Sequence, residues 1–179
     1  MELLEQRAEL FEQFAHGDLE AFDALFRQFQ GEVYRWIVRI VRDPGIAEDL
    51  TIETFWRIHR AHARFDPQRS FGAWARRIAT NAALDHWKTS RQEVELPAEV
   101  AVAGSANPGV QRDIRERTAR AFRQLPAKLQ VAATLALVEE QPYQEIAEAL
   151  GISVGAVKVR VFRATRLLRK KLKAMGVEP

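Results

Sequence analysis

The sequence predicts an all-α fold, organised as two small helical domains joined by a flexible linker. Three observations predict it. Apolar residues recur at i, i+3, i+4 and i+7, first in Phe22, Leu25, Phe26 and Phe29, then in Val33, Trp36, Ile37 and Ile40. No stretch shows the period-two alternation of a half-buried strand. The helical stripe stops once, at "RQEVELPAEVAVAGSANPGVQRD", where two prolines, two glycines and small residues mark a linker over about 91–113.

Each helix has a local cause. Residues 1–16, "MELLEQRAELFEQFAH", are acidic and amphipathic and read as an N-terminal extension helix. They lack the basic start and apolar middle of a signal peptide. Asp18 caps the next helix, and Asp43-Pro44 supplies a cap followed by proline in the first turn. A helix from about Ile46 to His62 and another from about Ser70 to Ser90 flank the polar loop "ARFDPQRSF". After the linker the pattern returns from about Ile114, with Pro126 and Pro142 each where a helix begins. The predicted units are thus 17–90 and 114–179. As a coil the linker between them would span roughly 25–30 Å.

Composition bounds the function. With 179 residues, 47% of them hydrophobic, the chain can bury one modest core or two small ones. It has no cysteine, which excludes disulfides and cysteine-ligated zinc. No apolar run reaches the roughly 18 residues of a membrane span, so no membrane insertion and a soluble, cytoplasmic protein are expected. The net charge of +3 is uneven. Residues 1–90 carry 12 Lys and Arg against 14 Asp and Glu, whereas residues 114–179 carry 13 against 6. A basic last third points to a polyanion, because Lys and Arg displace the counterions condensed on phosphates.

The order of residues there is more specific than their charge. "PYQEIAEALGIS" followed by "VGAVKVRVFRATRLLRKKLK" reads as a helix-turn-helix. Ala147 is small where two helices cross, and Gly151 can take the left-handed turn. Val157 returns an apolar residue to the core beside Ile146, Leu150 and Ile152, and Ser153 caps the second helix. At 100° per residue Val157, Val161, Ala164 and Leu168 form the inward stripe. Gly155, Val159, Phe162, Arg163 and Arg166 face outward, flanked by Lys158 and Arg160. A helix of this kind presents its N-terminal half to base edges. Lys158 and Arg163 suit guanine acceptors, while Arg160, Arg166 and the "RKKLK" tail suit phosphates. Phe162 fits a thymine methyl, with a core contact as the alternative.

A helix-turn-helix alone leaves repressor, activator and sigma factor open. The first ninety residues narrow the choice. "GDLEAFDALFRQF", "VYRWIVRIVRDPGIAEDLTIETFWRI" and "FGAWARRIATNAALDHWK", then a linker and "LPAKLQVAATLALVEEQPYQEIAEALGISVGAVKVRVFRA", closely resemble bacterial sigma factors of the extracytoplasmic-function class. The resemblance covers about residues 17–173. It implies an N-terminal domain that recognises and melts the −10 element (region 2) and a C-terminal domain that reads the −35 element (region 4). The implied partners are core RNA polymerase, through its β′ clamp helices and β flap, promoter DNA, and an anti-sigma factor. No cofactor is implied.

The resemblance also assigns residues. "AEDLTIETF" matches the helix that docks on the β′ clamp helices, which gives Asp49, Leu50, Glu53 and Arg57 to polymerase binding; Asp49 and Glu53 share a face at i, i+4. Family members commonly have Gln where this chain has Ile52. "ARFDPQRSFGAW" matches the loop that captures a flipped base of the −10 strand, for which Phe65, Asp66, Ser70 and Phe71 supply ring and polar edges. Asn81 stands where the family places a polar reader, and Arg76, Arg77, Lys88 and Arg91 suit the strand backbone. Trp74, one turn from Ile78, reads chiefly as core. On the −35 helix, Ser153, Lys158, Val159, Arg160, Phe162, Arg163 and Arg166 are the implied contacts, and Val159 replaces a small polar residue common in the family.

An enzyme is not expected. His59 and His62 at i, i+3 lack further ligands for a metal, and no nucleophile, phosphate-binding glycine loop or Ser/His/Asp cluster is evident. A repressor or activator that never touches polymerase accounts for residues 114–179 but leaves the first domain without a role.

Overall fold

A computed structural model describes residues 2–93 and 108–177. Among these residues there are helices and no strands. They are α1 (Glu2–Ala15), α2 (Leu19–Val41), α3 (Pro44–Arg60), α4 (Phe71–Glu93), α5 (Pro108–Arg123), α6 (Ala127–Ala133), α7 (Tyr143–Leu150) and α8 (Val154–Ala174). A 3₁₀ turn at His62–Arg64 precedes α4, and a π-helical turn at Thr134–Val138 continues α6. Contacts divide the chain into two compact units, Met1–His86 with Ala147–Ile152, and Trp87–Ile146 with Ser153–Pro179.

The helix starts follow from the predicted caps. Asp18 accepts the N–H of Ala21 at 2.7 Å, Asp43 that of Ile46 at 3.0 Å, and Ser153 that of Ala156 at 3.1 Å. Each satisfies an amide that has no partner inside its helix. Three helix ends share another device. At Gly17, Gly151 and Gly176 the chain turns left-handed, with φ of +87°, +63° and +76°. The amide after each glycine bonds five residues back: Asp18 to Gln13, Ile152 to Ala147 and Val177 to Leu172. This is the Schellman closure that glycine permits without Cβ strain.

In the first unit the core is aromatic. Phe14 of α1 is 1% exposed, and its ring meets those of Phe22, His62, Phe65, Phe71 and Trp74 with centroids 5.5–6.4 Å apart. Phe11 adds contacts to Phe65 and Phe71. Residues 1–16, set apart as an extension in the sequence, therefore bring α1 into this core rather than outside it. The reason is spacing: Phe11 and Phe14 lie on one face of α1, with no other apolar surface to bury them. Below them α2 buries Leu25, Phe29, Val33, Trp36, Ile37 and Ile40, and α4 presents Ala75, Ala79, Ala82 and Ala83, whose small side chains allow close approach.

In the second unit α5 and α6 pack against α8 around Ala121, Leu125, Ala133, Ala164 and Leu168. Arg117 pairs with Asp113 at 2.6 Å and also donates to the Met175 carbonyl at the end of α8. A cation there is favoured by the helix dipole. The predicted linker at 91–113 is helical at both ends, because α4 runs to Glu93 and α5 starts at Pro108. Proline breaks a helix interior but suits its first position, so Pro108 starts α5 rather than prolonging the linker. Residues 94–107 lie outside the described residues, as does the Arg91 side chain.

Candidate nucleic-acid and polymerase interfaces

On α8 the inward and outward faces separate as the periodicity predicts. Val157, Val161, Ala164 and Leu168 are buried. Lys158, Val159, Phe162, Arg163 and Arg166 are exposed, and Arg160 is half-buried. Phe162 is 68% exposed, so the core alternative for it falls away. With Thr165, Arg166 and Arg169 it lines a shallow groove along the helix. From Ser153 to Lys173 the chain carries eight cations and no acid, so this face presents donors and one ring to a polyanion without a repelling carboxylate. Ser153 itself is occupied as the cap of α8, which sets the start of the helix.

The loop between α3 and α4 is held from beneath. Phe65 is 5% exposed and Phe71 fully buried, both inside the ring cluster around Phe14. The expected aromatic pocket formed by these two residues is thus closed, because α1 fills the space on which their rings would otherwise open. The polar residues of the loop serve its backbone. Asp66 accepts the Gln68 N–H at 3.0 Å and pairs with Arg69 at 3.2 Å, and Ser70 accepts the Ala73 N–H at the start of α4. What remains accessible on the loop are Arg64, Asp66, Gln68, Arg69 and Ser70. Trp74 lies against Phe65 at 5.0 Å and is half-buried, which fits a ring at the edge of the core.

Along α4, Arg77, Asn81 and Lys88 are exposed. Arg76 is not presented in the same way. Its guanidinium sits 5.6 Å over the Trp36 ring and 3.7 Å from Glu32, which engages it inside the unit. Thr80, one turn on, accepts the Trp36 indole N–H at 3.0 Å and donates to the Arg76 carbonyl at 2.8 Å.

On α3 the structure sorts the four predicted polymerase contacts. Asp49 and Glu53 are exposed, whereas Leu50 is buried and faces Ala47, Phe55 and the rest of the core. Leu50 follows Ala47 at i+3 and precedes Thr54 at i+4, so the helix period carries it inward. Arg57 is held between two carboxylates, Glu53 at 2.8 Å and Asp85 of α4 at 2.9 Å. These hydrogen bonds, to Glu53 first and then Asp85, raise its pKa further above the ordinary arginine value. Arg57 therefore fixes α3 to α4. Two other residues on this helix are exposed, Ile52 at 66%, noted in the sequence only as a departure from the family's Gln, and Trp56 at 61%, to which the sequence reading gave no role. Their signal was available, since large apolar residues at i, i+4 lay off the stripe of Ala47, Leu50, Thr54 and Ile58.

His59 and His62 meet rings rather than a metal shell. His59 faces Phe22 at 5.0 Å and Trp56 at 5.7 Å, and His62 holds the Ala15 carbonyl at 3.2 Å. Among the described residues no group of three His, Cys, Asp or Glu could hold a metal ion.

Comparison with known proteins gives the family. Residues 25–93 match the family Sigma-70 region 2, and residues 115–168 match Sigma-70, region 4. The chain is 32% identical over 175 residues to RNA polymerase sigma factor CarQ of Myxococcus xanthus, covering 93% of this chain and 98% of CarQ. It is 30% identical to ECF RNA polymerase sigma factor SigW of Bacillus subtilis, covering 90% and 94% of the two chains. It is 34% identical to ECF RNA polymerase sigma factor BldN of Streptomyces coelicolor, of whose length it spans 65%. Among solved structures, CnrH in complex with the cytosolic domain of CnrY superposes with a TM-score of 0.56 at 25% identity, covering 93% of this chain and 97% of that one. With both sigma regions matched in order and relatives of 30% identity or more along nearly their whole length, the chain belongs to the extracytoplasmic-function sigma factors of RNA polymerase, which direct promoter-specific transcription.

Proposed function

We propose that this sigma factor divides its work among three surfaces. The outward face of α8 reads the −35 element through Lys158, Val159, Phe162 and Arg163, with Arg160, Arg166 and the "RKKLK" tail on phosphates. The loop 61–70 and Asn81 take the −10 strand, with Arg77 and Lys88 along its backbone. The exposed face of α3 docks on the β′ clamp helices, and residues 114–179 meet the β flap. On this reading residues 17–90 form region 2, supported by α1, and residues 114–179 form region 4.

The observation that carries the reading is the coexistence of two opposite surfaces in one chain. An acid-free cationic helix face suits DNA, and an acidic and apolar helix face suits a protein. A repressor needs only the first. The neighbour CnrH was solved bound to the cytosolic domain of CnrY, which supports a protein partner for this chain as well, and the family resemblance makes that partner an anti-sigma factor. Among the described residues no helix is long and apolar enough to cross a membrane. Work with polymerase and DNA places the protein in the cytoplasm, with no catalytic activity of its own.

The test is reconstitution. Purified protein added to core polymerase should start transcripts at a defined promoter selected from a random library. Tight duplex binding without core polymerase, and no transcripts with it, would favour the repressor.

A further inference from the structure

The α3 face holds a feature that charge alone does not explain. At 100° per residue, Ile52 and Trp56 lie side by side in the middle of its exposed arc, with Glu48 on one flank and Asp49 and Glu53 on the other. Both apolar side chains are among the most exposed large hydrophobics of the described residues. Trp56 has a ring neighbour within the unit, since its ring lies 5.7 Å from that of His59, which in turn packs on Phe22 at 5.0 Å. A ring with a neighbour already in place loses less conformational freedom on docking than one without. Of the cations on this helix, Arg57 is engaged by Glu53 and Asp85, and Arg60 is exposed at the C-terminal end of the face, one turn beyond Trp56.

We infer that Ile52 and Trp56 form the apolar anchor of the polymerase interface, and that they, rather than Asp49 and Glu53, carry its lifetime. The inference rests on the proposed docking of α3 on the β′ clamp helices. The occupant it requires is a helical surface with an apolar seam bordered by Lys or Arg. Desolvated aromatic and aliphatic anchors at the centre of an interface govern dissociation, whereas rim charges steer encounter and are screened by salt. Ile52 then acts as a specificity determinant. Its replacement by the glutamine common in related sigma factors should weaken binding in this protein, because the amide loses apolar contact beside Trp56.

The experiment measures association and dissociation of the full chain on immobilised core polymerase at two salt concentrations. Ile52→Gln and Trp56→Ala should each speed dissociation about tenfold, with association changed by less than about threefold. Asp49→Asn should instead slow association and flatten its salt dependence. Circular dichroism checks that each variant is folded; should Trp56→Ala unfold, Ile52→Gln decides, since that side chain is 66% exposed and outside the core. Wild-type dissociation rates for Ile52→Gln, with the loss confined to Asp49→Asn, would overturn the inference. Failure of the wild-type chain to bind core polymerase at all would instead overturn the docking itself.

Discussion

The indole N–H of Trp36 in α2 donates to the hydroxyl of Thr80 in α4 at 3.0 Å, and both side chains are buried. The same hydroxyl donates to the Arg76 carbonyl, so one oxygen satisfies two buried polar groups at the junction of two helices. Thr80→Val keeps the shape and removes the acceptor. It should lower stability by about 1–3 kcal/mol, because the indole N–H stays buried without a partner. Thr80→Ser should restore most of the loss. Urea unfolding followed by tryptophan fluorescence gives both values, and equal stability of the Val and wild-type proteins would sink the assignment.

Gly17 joins α1 to α2 with φ of +87°, and a Cβ built there would stand 3.0 Å from the His62 ring. Gly17→Ala therefore meets backbone strain and a side chain already engaged with the Ala15 carbonyl. A loss of about 1–3 kcal/mol is expected. Since α1 carries Phe11 and Phe14 into the ring cluster under the loop, faster proteolysis of the first unit should accompany it. An unchanged thermal midpoint would show that the turn can relax.

Asn81 is exposed on α4, ten residues beyond the start of the helix at Phe71. Asn81→Ala should slow open-complex formation about fivefold, the worth of one amide hydrogen bond near 1 kcal/mol. Affinity for core polymerase should be unchanged. Permanganate footprinting of the melted strand measures the first and a pull-down the second; a parallel fall in both would place Asn81 outside the −10 interface.

Arg163 stands on the outward face of α8 one residue after the exposed Phe162. Arg163→Ala should cost about 1–3 kcal/mol on the preferred −35 sequence and far less on variants of it, if its guanidinium pairs with a guanine edge. Competition among promoter variants with the reconstituted holoenzyme distinguishes this from a phosphate contact, for which all sequences would weaken alike.

How much of this could be read beforehand depended on how local its cause was. The caps at Asp18, Asp43 and Ser153, the left-handed turn at Gly151 and the buried stripe of α8 arise from spacing within a few residues, and each was legible. Gly17 and Gly176 close their helices by the same local rule, so the signal existed and was passed over. Leu50 shares the inward period of Ala47 and Thr54, so its burial was legible too, and the match to a docking helix overrode that signal. Arg57 was different, because its second partner lies on another helix. Asp85 is 28 residues from Arg57 in the chain, and no periodicity announces that pair.

The sequence by itself determined the helical class, the caps at Asp18, Asp43 and Ser153 and the cationic face of α8, because these follow from residue spacing and from charge that has no opposing acid nearby. The order of two sigma regions came from resemblance to a family. Only the tertiary structure decided that α1 belongs to the core, that Phe65 and Phe71 are closed beneath the loop, that Arg76 rests on Trp36, and that Ile52 and Trp56 are left facing out. The physical reason is competition for apolar surface. Ten phenylalanines and four tryptophans in a small chain can bury in more than one arrangement, and helix packing selects which rings are covered and which remain to meet a partner.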